Sequence, residues 1–267
     1  MPLHLVKAQA YGNDFLYADR ATGGDRDWAA TARATCDRHA GIGADGLIVY
    51  DRLPDGARMS LFNADGSVAE VSGNGVRGLA ALLCWLEMRQ GRASRPAWQI
   101  ETGAGPTRLE LLAADHPAYA FRAAMTPPTG LTQTTLDAGG ERVDVVILRV
   151  GNPQCVVLVP ELDEVQYRRL GPLLECHPAF PQRTNVSFAR VAAPDRVEVL
   201  IWERGVGPTS SSGTGSLGAA AAAMTCGGCA RDVDVAAPGG VQRVAWTSNG
   251  MFLTGWVRLT WEGEWLE

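Results

Sequence analysis

Two seryl-glycyl turns carry the chemistry open to this chain. Ser72-Gly73-Asn74-Gly75-Val76-Arg77-Gly78 and Ser212-Gly213-Thr214-Gly215-Ser216-Leu217-Gly218 share the pattern Ser-Gly-x-Gly-x-x-Gly, and each runs into a small-residue apolar stretch. Glycines ahead of a helix let the backbone approach a ligand and leave several N–H groups pointing outward. The start of the helix adds partial positive charge. One such turn suits a carboxylate or a phosphate. Two, acting from opposite sides, could grip a small acid and set a hydroxyl on each of its faces. For a single copy the plainer reading is a tight helix entry, with Ser as the cap and Gly meeting a backbone requirement. The paired occurrence weighs against that reading.

The offset extends beyond the turns. The two serines lie 140 positions apart, and Asn63 falls opposite Glu203 at the same distance. Gly12-Asn13 corresponds to Gly151-Asn152 at an offset of 139, and the apolar run 58–62 corresponds to 198–202. A repeat of this length is too long for a solenoid and implies two similar halves facing each other. The expected site lies at their interface, one turn from each half.

Asn13, Asn63, Asn152 and Asn185 each sit beside a glycine or a strand end. Singly, each reads as a turn residue. With Glu203 and Arg204 they form the set a polar amino-acid pocket requires: Arg204 can hold a carboxylate bidentately, Glu203 can accept an ammonium, and the amides complete both. A serine hydroxyl is a weak acid that needs an activating base, and the sequence identifies none beside Ser72 or Ser212.

Other chemistries fit less well. G-x-G-x-x-G occurs twice, but a dinucleotide site needs a strand running directly into the glycines. Here the run 197–202 ends about ten residues before Gly213, although Asp234 lies about 20 residues beyond that turn. Cys36 with His39 and Cys226 with Cys229 suit zinc by type. Their spacing does not join them, so structural cysteines are the simpler reading and no metal is expected. His4, His39, His116 and His177 belong to no nucleophile elbow.

The chain has 267 residues, 46% hydrophobic and 20% charged, with net charge -5 and a pI near 5.5. That allows a substantial core in one large or two modest domains. No dense basic run points to nucleic acid. Lys7 is the sole lysine, against 23 arginines, and it falls within a strand-like segment. A pyridoxal phosphate enzyme needs a Schiff-base lysine, so no cofactor is expected. The N-terminus lacks a secretion signal, no apolar run reaches membrane length, and six cysteines are scattered. These features point to a cytoplasmic protein with reduced thiols.

The elements that must position the turns follow from local pattern. Strands are expected over 3–19, broken at Tyr11-Gly12-Asn13, and a helix over 27–38. Further strands cover 47–50 and 59–62, and a buried helix covers 75–88. Strands at 98–101, 108–112 and 118–122 complete the first half. The Pro-, Thr- and Gly-rich stretch 126–133 reads as the link. Strands at 143–150 and 156–159, a helix over 162–174, and strands at 185–191 and 197–202 lead to the second turn. A helix over 214–225 and strands at 233–236, 241–246 and 255–261 follow. Many short strands with one buried helix per half predict an α+β fold with a mainly antiparallel sheet.

Several stretches, in order, resemble the diaminopimelate epimerases, within the wider group of cofactor-free racemases and epimerases that includes proline racemase. They are Gly12-Asn13-Asp14-Phe15, Gly41-Ile42-Gly43-Ala44-Asp45, Phe62-Asn63-Ala64-Asp65-Gly66-Ser67, Gly73-Asn74-Gly75-Val76-Arg77, Gly151-Asn152-Pro153, Thr184-Asn185-Val186 and Glu203-Arg204-Gly205-Val206-Gly207. The resemblance implies two pseudo-symmetric halves, each a sheet wrapped around a central helix. The first half would span 1–125, joined by the returning strand 258–267, and the second 126–257. It implies interconversion of LL- and meso-diaminopimelate without metal or pyridoxal phosphate, on the route to lysine, and a possible homodimer. Asn63, Asn185 and Arg204 would fix the unreactive end of this diamino acid. Asn13, Asn152 and Glu203 would hold the amino acid, and the backbone of Gly73-Asn74 and Gly213-Thr214 would bind the reacting carboxylate.

Three departures stand beside the matches. The family's two catalytic cysteines, one before each turn, are here Ser72 and Ser212. Gln154 stands where the family usually has His, and Pro208 where Glu is frequent. A thiol is readily tuned to a thiolate at a helix start, and a hydroxyl is not. Three accounts follow: an epimerase working through its hydroxyls, a divergent racemase or dehydratase acting on another amino or hydroxy acid, or an inactive amino-acid-binding homologue.

Overall fold

Alternating apolar residues at the N-terminus form β1 (Leu3–Ala10), which turns back at Tyr11-Gly12 into β2 (Asn13–Asp19). Both turn residues have positive φ, 59° and 84°, as a two-residue hairpin of this hand requires. Asp19 then caps α1 (Arg20–Gly23) and Asp27 caps α2 (Trp28–Cys36). Next come β3 (Gly46–Leu53), β4 (Gly56–Asn63), β5 (Val68–Ala69), α3 (Gly73–Arg89), β6 (Ala97–Thr102), β7 (Gly105–Asp115) and β8 (Ala118–Met125). The computed structural model describes residues 2–266.

The rest of the chain repeats the scheme. β9 (Thr129–Asp137) precedes β10 (Arg142–Val150), β11 (Asn152–Leu158), α4 (Glu164–Glu175), β12 (Asn185–Ala193), β13 (Arg196–Glu203) and β14 (Gly207–Thr209). Then follow α5 (Gly213–Cys226), β15 (Asp232–Ala237), β16 (Gly240–Thr247) and the long β17 (Gly250–Trp265). Two compact units result. The first takes the chain up to Ala123 and again from Trp256 onward; the second is Ala124–Gly255.

Within the first unit, pairing runs β17–β1–β2–β3–β4–β6–β7–β8 and returns to β17, closing an eight-strand barrel. Closure leaves no free edge among those strands. Within the second, the order is β9–β10–β11–β12–β13–β15–β16, continued by the start of β17. Equivalent crossovers recur: β2–β3 and β4–β6 are parallel in one unit, β11–β12 and β13–β15 in the other. Most other neighbours are antiparallel, so the fold is a sheet-rich α+β one.

α3 and α5 are the elements that deliver the two turns. Every residue from Gly75 to Cys84 and from Gly215 to Met224 is buried. Small residues permit this: α5 is largely alanine and packs against Val146, Leu148, Val199, Ile201, Val235 and Val244. α4 covers a separate apolar cluster formed by Leu136, Val143, Val157, Val186 and Phe188. α2 lies over Leu3, Leu16, Leu47 and Val49.

Two local expectations are corrected. The stretch 126–133 is not all link, since Thr129 onward is β9, paired antiparallel to β10. Its threonines are β-branched and suit an extended, solvent-facing strand despite their polar character. The last strand is much longer than 255–261, because its two ends pair with different neighbours, β16 and β1. Among the described residues no helix is long and apolar enough to cross a membrane.

Candidate active site

Ser72 is the N-cap of α3, with φ -131° and ψ 123°, and its Oγ accepts the Gly75 N–H at 3.2 Å. Ser212 caps α5 in the same way, with φ -145° and ψ 128°, accepting the Gly215 N–H at 3.3 Å. The plain capping geometry is therefore real. It leaves the N–H groups of Gly73-Asn74 and Gly213-Thr214 outside the helical ladder, where an anion can meet them.

In the first unit the turn is braced by amides. Asn74 Nδ2 donates to Asn13 Oδ1 at 3.4 Å, and Asn13 Nδ2 donates to Asp45 Oδ2 at 2.5 Å. Asp45 also accepts the Asp14 N–H at 3.0 Å and an Arg38 N–H at 2.8 Å. Asp14 is held by Arg38 at 2.7 Å and by the Lys7 ammonium at 2.9 Å. Burial opposes the Asp14 carboxylate, but the hydrogen bonds from Arg38 and Lys7 outweigh it and hold the pKa below the usual range. The sole lysine is thus engaged in bracing this corner, and its ammonium also donates to Gly43 O at 2.6 Å.

Asn63 behaves differently. It ends β4, is exposed, and donates to Ser67 Oγ at 2.9 Å within its own turn. Among the described residues it makes no hydrogen bond to Asn13 or to the Ser72 turn.

Arg77, quoted only as part of a motif, lies in the first helical turn of α3. It is 3% exposed, donates from Nη1 to Asn74 Oδ1 at 2.9 Å, and stacks 5.7 Å from the Tyr11 ring centre. Among the described residues its Nε has no hydrogen-bond partner and its guanidinium no carboxylate within ion-pair distance. Burial pushes its pKa down. A buried cation beside a helix N-terminus makes this end of α3 strongly attractive to an anion.

In the second unit, β14 folds back on β13, pairing Glu203 with Gly207. That reversal brings the Glu203 carboxylate close to the Ser212 hydroxyl. Burial raises the Glu203 pKa, and the neighbouring hydroxyl only partly counters it. A carboxylate made more basic beside a seryl hydroxyl is a candidate activating partner that the sequence did not reveal.

Thr214 Oγ1 accepts from Asn152 Nδ2 at 3.3 Å, and Asn152 Oδ1 accepts from Gln154 Nε2 at 2.6 Å. Gln154 is fully buried, and its Oε1 lacks a partner among the described residues. It packs on Gly218, where an added Cβ would lie 3.0 Å from Gln154 Cγ. Asn185 bridges Pro153 O at 3.2 Å and the Arg204 N–H at 2.9 Å. The Arg204 side chain is exposed and donates to Gln182 O at 3.2 Å.

Glu175 anchors the following turn, accepting from Gly205 N at 2.8 Å and from Trp202 Nε1 at 2.8 Å. It was not singled out from sequence, where a helix-end glutamate carries no special mark. Asp45 was, within the glycine-rich stretch before β3, but nothing linked it to Asn13.

Direct bonds therefore join Asn13 to Asn74, Asn152 to Thr214 and Asn185 to Arg204, and Glu203 lies beside Ser212. Gly73 and Gly213 open the two helices. Among the described residues no three His, Cys, Asp or Glu side chains gather as a metal site.

Comparison with known proteins gives a consistent result. The family model described as diaminopimelate epimerase matches residues 5–129 and 146–260. The diaminopimelate epimerase of Desulforudis audaxviator is 37% identical over 282 residues, covering 99% of each chain. That of Microcystis aeruginosa is 39% identical over 285 residues, covering 98% of this chain and 99% of its own. Among solved structures, a probable proline racemase from Agrobacterium radiobacter K84 superimposes with a TM-score of 0.70 at 16% identity, covering 99% of this chain and 93% of its own. That similarity concerns the fold alone.

Proposed function

The chain belongs to the diaminopimelate epimerase family, and on that premise we propose that it interconverts LL- and meso-2,6-diaminopimelate by two proton transfers at one α-carbon. The observation that carries this reading is the Glu203 carboxylate, made more basic by burial, beside the Ser212 hydroxyl at the start of α5. Inversion needs a proton removed on one side and another delivered on the opposite side. Ser212 Oγ takes the α-proton as its own proton passes to the Glu203 carboxylate. Carbon is reprotonated by the Ser72 hydroxyl, whose oxygen recovers a proton from solvent.

Charge that builds on the substrate carboxylate as the C–H bond breaks meets the N–H groups of Gly73, Asn74, Gly213 and Thr214. The Arg77 guanidinium reinforces the first pair through its hold on Asn74. Asn13 and Asn152 orient the amino acid end. Asn185 and Arg204 bind the unreactive end, with Asn63 contributing from its exposed turn.

The test is α-proton exchange in D₂O with LL-diaminopimelate, following isotope and stereochemistry together. The intact protein is expected to give deuterated meso product. Ser212→Ala should abolish exchange. Ser72→Ala should retain deuterium uptake only in the isomer whose α-hydrogen meets Ser212, without inversion. Calorimetric binding without any exchange would refute turnover and favour the binding homologue. Neither binding nor exchange would remove diaminopimelate as the substrate.

A further inference from the structure

Each unit braces its turn with a chain of side-chain hydrogen bonds, and the two chains run in opposite senses. In the first unit donation starts on the helix. Arg77 Nη1 donates to Asn74 Oδ1 at 2.9 Å, Asn74 Nδ2 to Asn13 Oδ1 at 3.4 Å, and Asn13 Nδ2 to Asp45 Oδ2 at 2.5 Å. In the second it starts on the strand β11. Gln154 Nε2 donates to Asn152 Oδ1 at 2.6 Å, and Asn152 Nδ2 to Thr214 Oγ1 at 3.3 Å. The repeat makes Asn152 the counterpart of Asn13 and Thr214 that of Asn74. The residue that drives each chain has an apolar counterpart in the other unit, Leu217 for Arg77 and Phe15 for Gln154. Neither can donate, so each chain is driven from one end only.

What is left unpaired fixes the sense of the second chain. Gln154 is fully buried, with Oε1 unpartnered among the described residues. Turning the amide over would instead leave both N–H bonds of Nε2 buried and unmet, and orphaned buried donors are rarer than under-used acceptors. The side chain cannot swing away, because a Cβ added to Gly218 would lie within 3.3 Å of its Cβ, Cγ and Cδ. With Asn152 Oδ1 taken by Gln154, the donor end of that amide is the one turned to Thr214, whose Oγ1 must accept. The Thr214 O–H is thereby released from Asn152, and among the described residues it has no acceptor.

Thr214 belongs to the first turn of α5, where its own N–H and that of Gly213 lie outside the helical ladder. We propose that Gln154 is a positioning residue which, through Asn152, keeps the Thr214 hydroxyl as a third donor toward the reacting carboxylate of the substrate. This role rests on the epimerase reading, which seats that carboxylate at the start of α5. The counterpart Asn74 offers no equivalent, because its amide is engaged at both ends, by Arg77 and by Asn13. Replacing Gln154 by Glu tests the direction of the chain. A protonated carboxyl can still donate to Asn152 Oδ1, as Gln154 does. An ionised one only accepts, so the Asn152 amide turns over, Oδ1 faces Thr214, and the threonine O–H is spent on it.

The experiment is an NMR titration of the full, nitrogen-15-labelled chain with LL-diaminopimelate and, in parallel, sodium acetate, following the Gly213 and Thr214 backbone N–H signals over a series of pH values. Thr214→Val should weaken both ligands about tenfold or more, the usual loss for a hydrogen bond to a charged group. Gln154→Glu should bind progressively more weakly as pH rises through the pKa of the introduced carboxyl, a limb that the intact protein lacks. Placed on Thr214→Val, it should cause no further loss, since the hydroxyl it redirects is gone. Gln154→Met buries no charge and should also weaken binding only where Thr214 is present, which keeps the test open if Gln154→Glu fails to fold. Acetate that answers to Thr214 and Gln154 in this way, with diaminopimelate inert, would sink the epimerase reading and leave the donor assignment standing. Binding that survives Thr214→Val, or a Gln154→Glu loss that is flat with pH or persists without Thr214, would overturn the proposal. So would a chain that binds neither carboxylate.

Discussion

Gly78 offers a direct test of how α3 is seated. A Cβ added there would lie 2.0 Å from Tyr17 Oη, 2.8 Å from Tyr17 Cζ and 3.4 Å from Ala8 Cβ. Tyr17 is 2% exposed, and its hydroxyl donates to Gly75 O at 3.0 Å, so it cannot swing into solvent. To restore even 3.0 Å, the hydroxyl must retreat by at least 1.0 Å from its 2.0 Å position, which breaks that bond. Losing it costs about 1 kcal/mol or more, and forcing a methyl into a packed core costs about 1–3 kcal/mol. Alanine's better helix propensity returns about 1 kcal/mol. Gly78→Ala should therefore destabilise the protein by about 1–3 kcal/mol, lowering Tm by roughly 2–10 °C at this chain length. Thermal and urea unfolding would measure it. Tyr17→Phe removes the closest atom, so the double variant should recover about 1 kcal/mol relative to the sum of the single changes. A Tm that is unchanged or raised in Gly78→Ala, or strict additivity in the cycle, would refute this account of the third motif glycine.

Two further expectations concern buried charge. Glu203 must be ionised to accept a proton, and its raised pKa places the acid limb of the rate profile above the ordinary carboxylate range. A carboxyl group whose folded pKa is raised loses stabilisation as pH rises through that value. Glu203→Gln should therefore raise Tm at alkaline pH, be neutral in acid, and lower the exchange rate about 10²–10⁴-fold; a lower Tm at pH 8 would contradict it. Arg77→Met removes a buried cation that, among the described residues, has no carboxylate partner. The unliganded protein should then be at least as stable, by analogy with the gain of up to about 4 kcal/mol seen when buried ions give way to apolar groups. KM should rise as Asn74 loses its anchor, and a lowered Tm with unaltered KM would count against the role given to this residue.

The interplay of local and distant information is clearest at the two serines. Their capping geometry follows from Ser-Gly-x-Gly itself, because a cap needs only its own helix start, and both serines adopt extended φ and ψ with nearly equal Oγ distances. The two buried helices are equally legible, since runs of Gly, Ala and Leu leave no polar face to expose. The hairpin at Tyr11-Gly12 is a local matter of positive φ. The family, too, is written in the order of short motifs from residue 12 onward.

What the sequence could not supply is which groups meet across elements. Glu203 and Ser212 are nine positions apart, yet they come together because β14 turns back along β13, a pairing that three residues of Gly-Pro-Thr do not announce. Asp45 supports Asn13 only because β3 runs parallel to β2 and brings their starts together. Arg77 looks like an ordinary helix arginine until packing against Tyr11 buries it and leaves its charge, among the described residues, without a carboxylate. β9 was hidden for the opposite reason, as its threonines read as linker until β10 gave them a hydrogen-bonding partner. The chain by itself determined where helices start, which residues are small enough to be buried and which family it belongs to, because these depend on neighbours in sequence. Only the tertiary structure decided which carboxylate lies beside which hydroxyl and which charge is buried, because desolvation and pairing depend on neighbours in space.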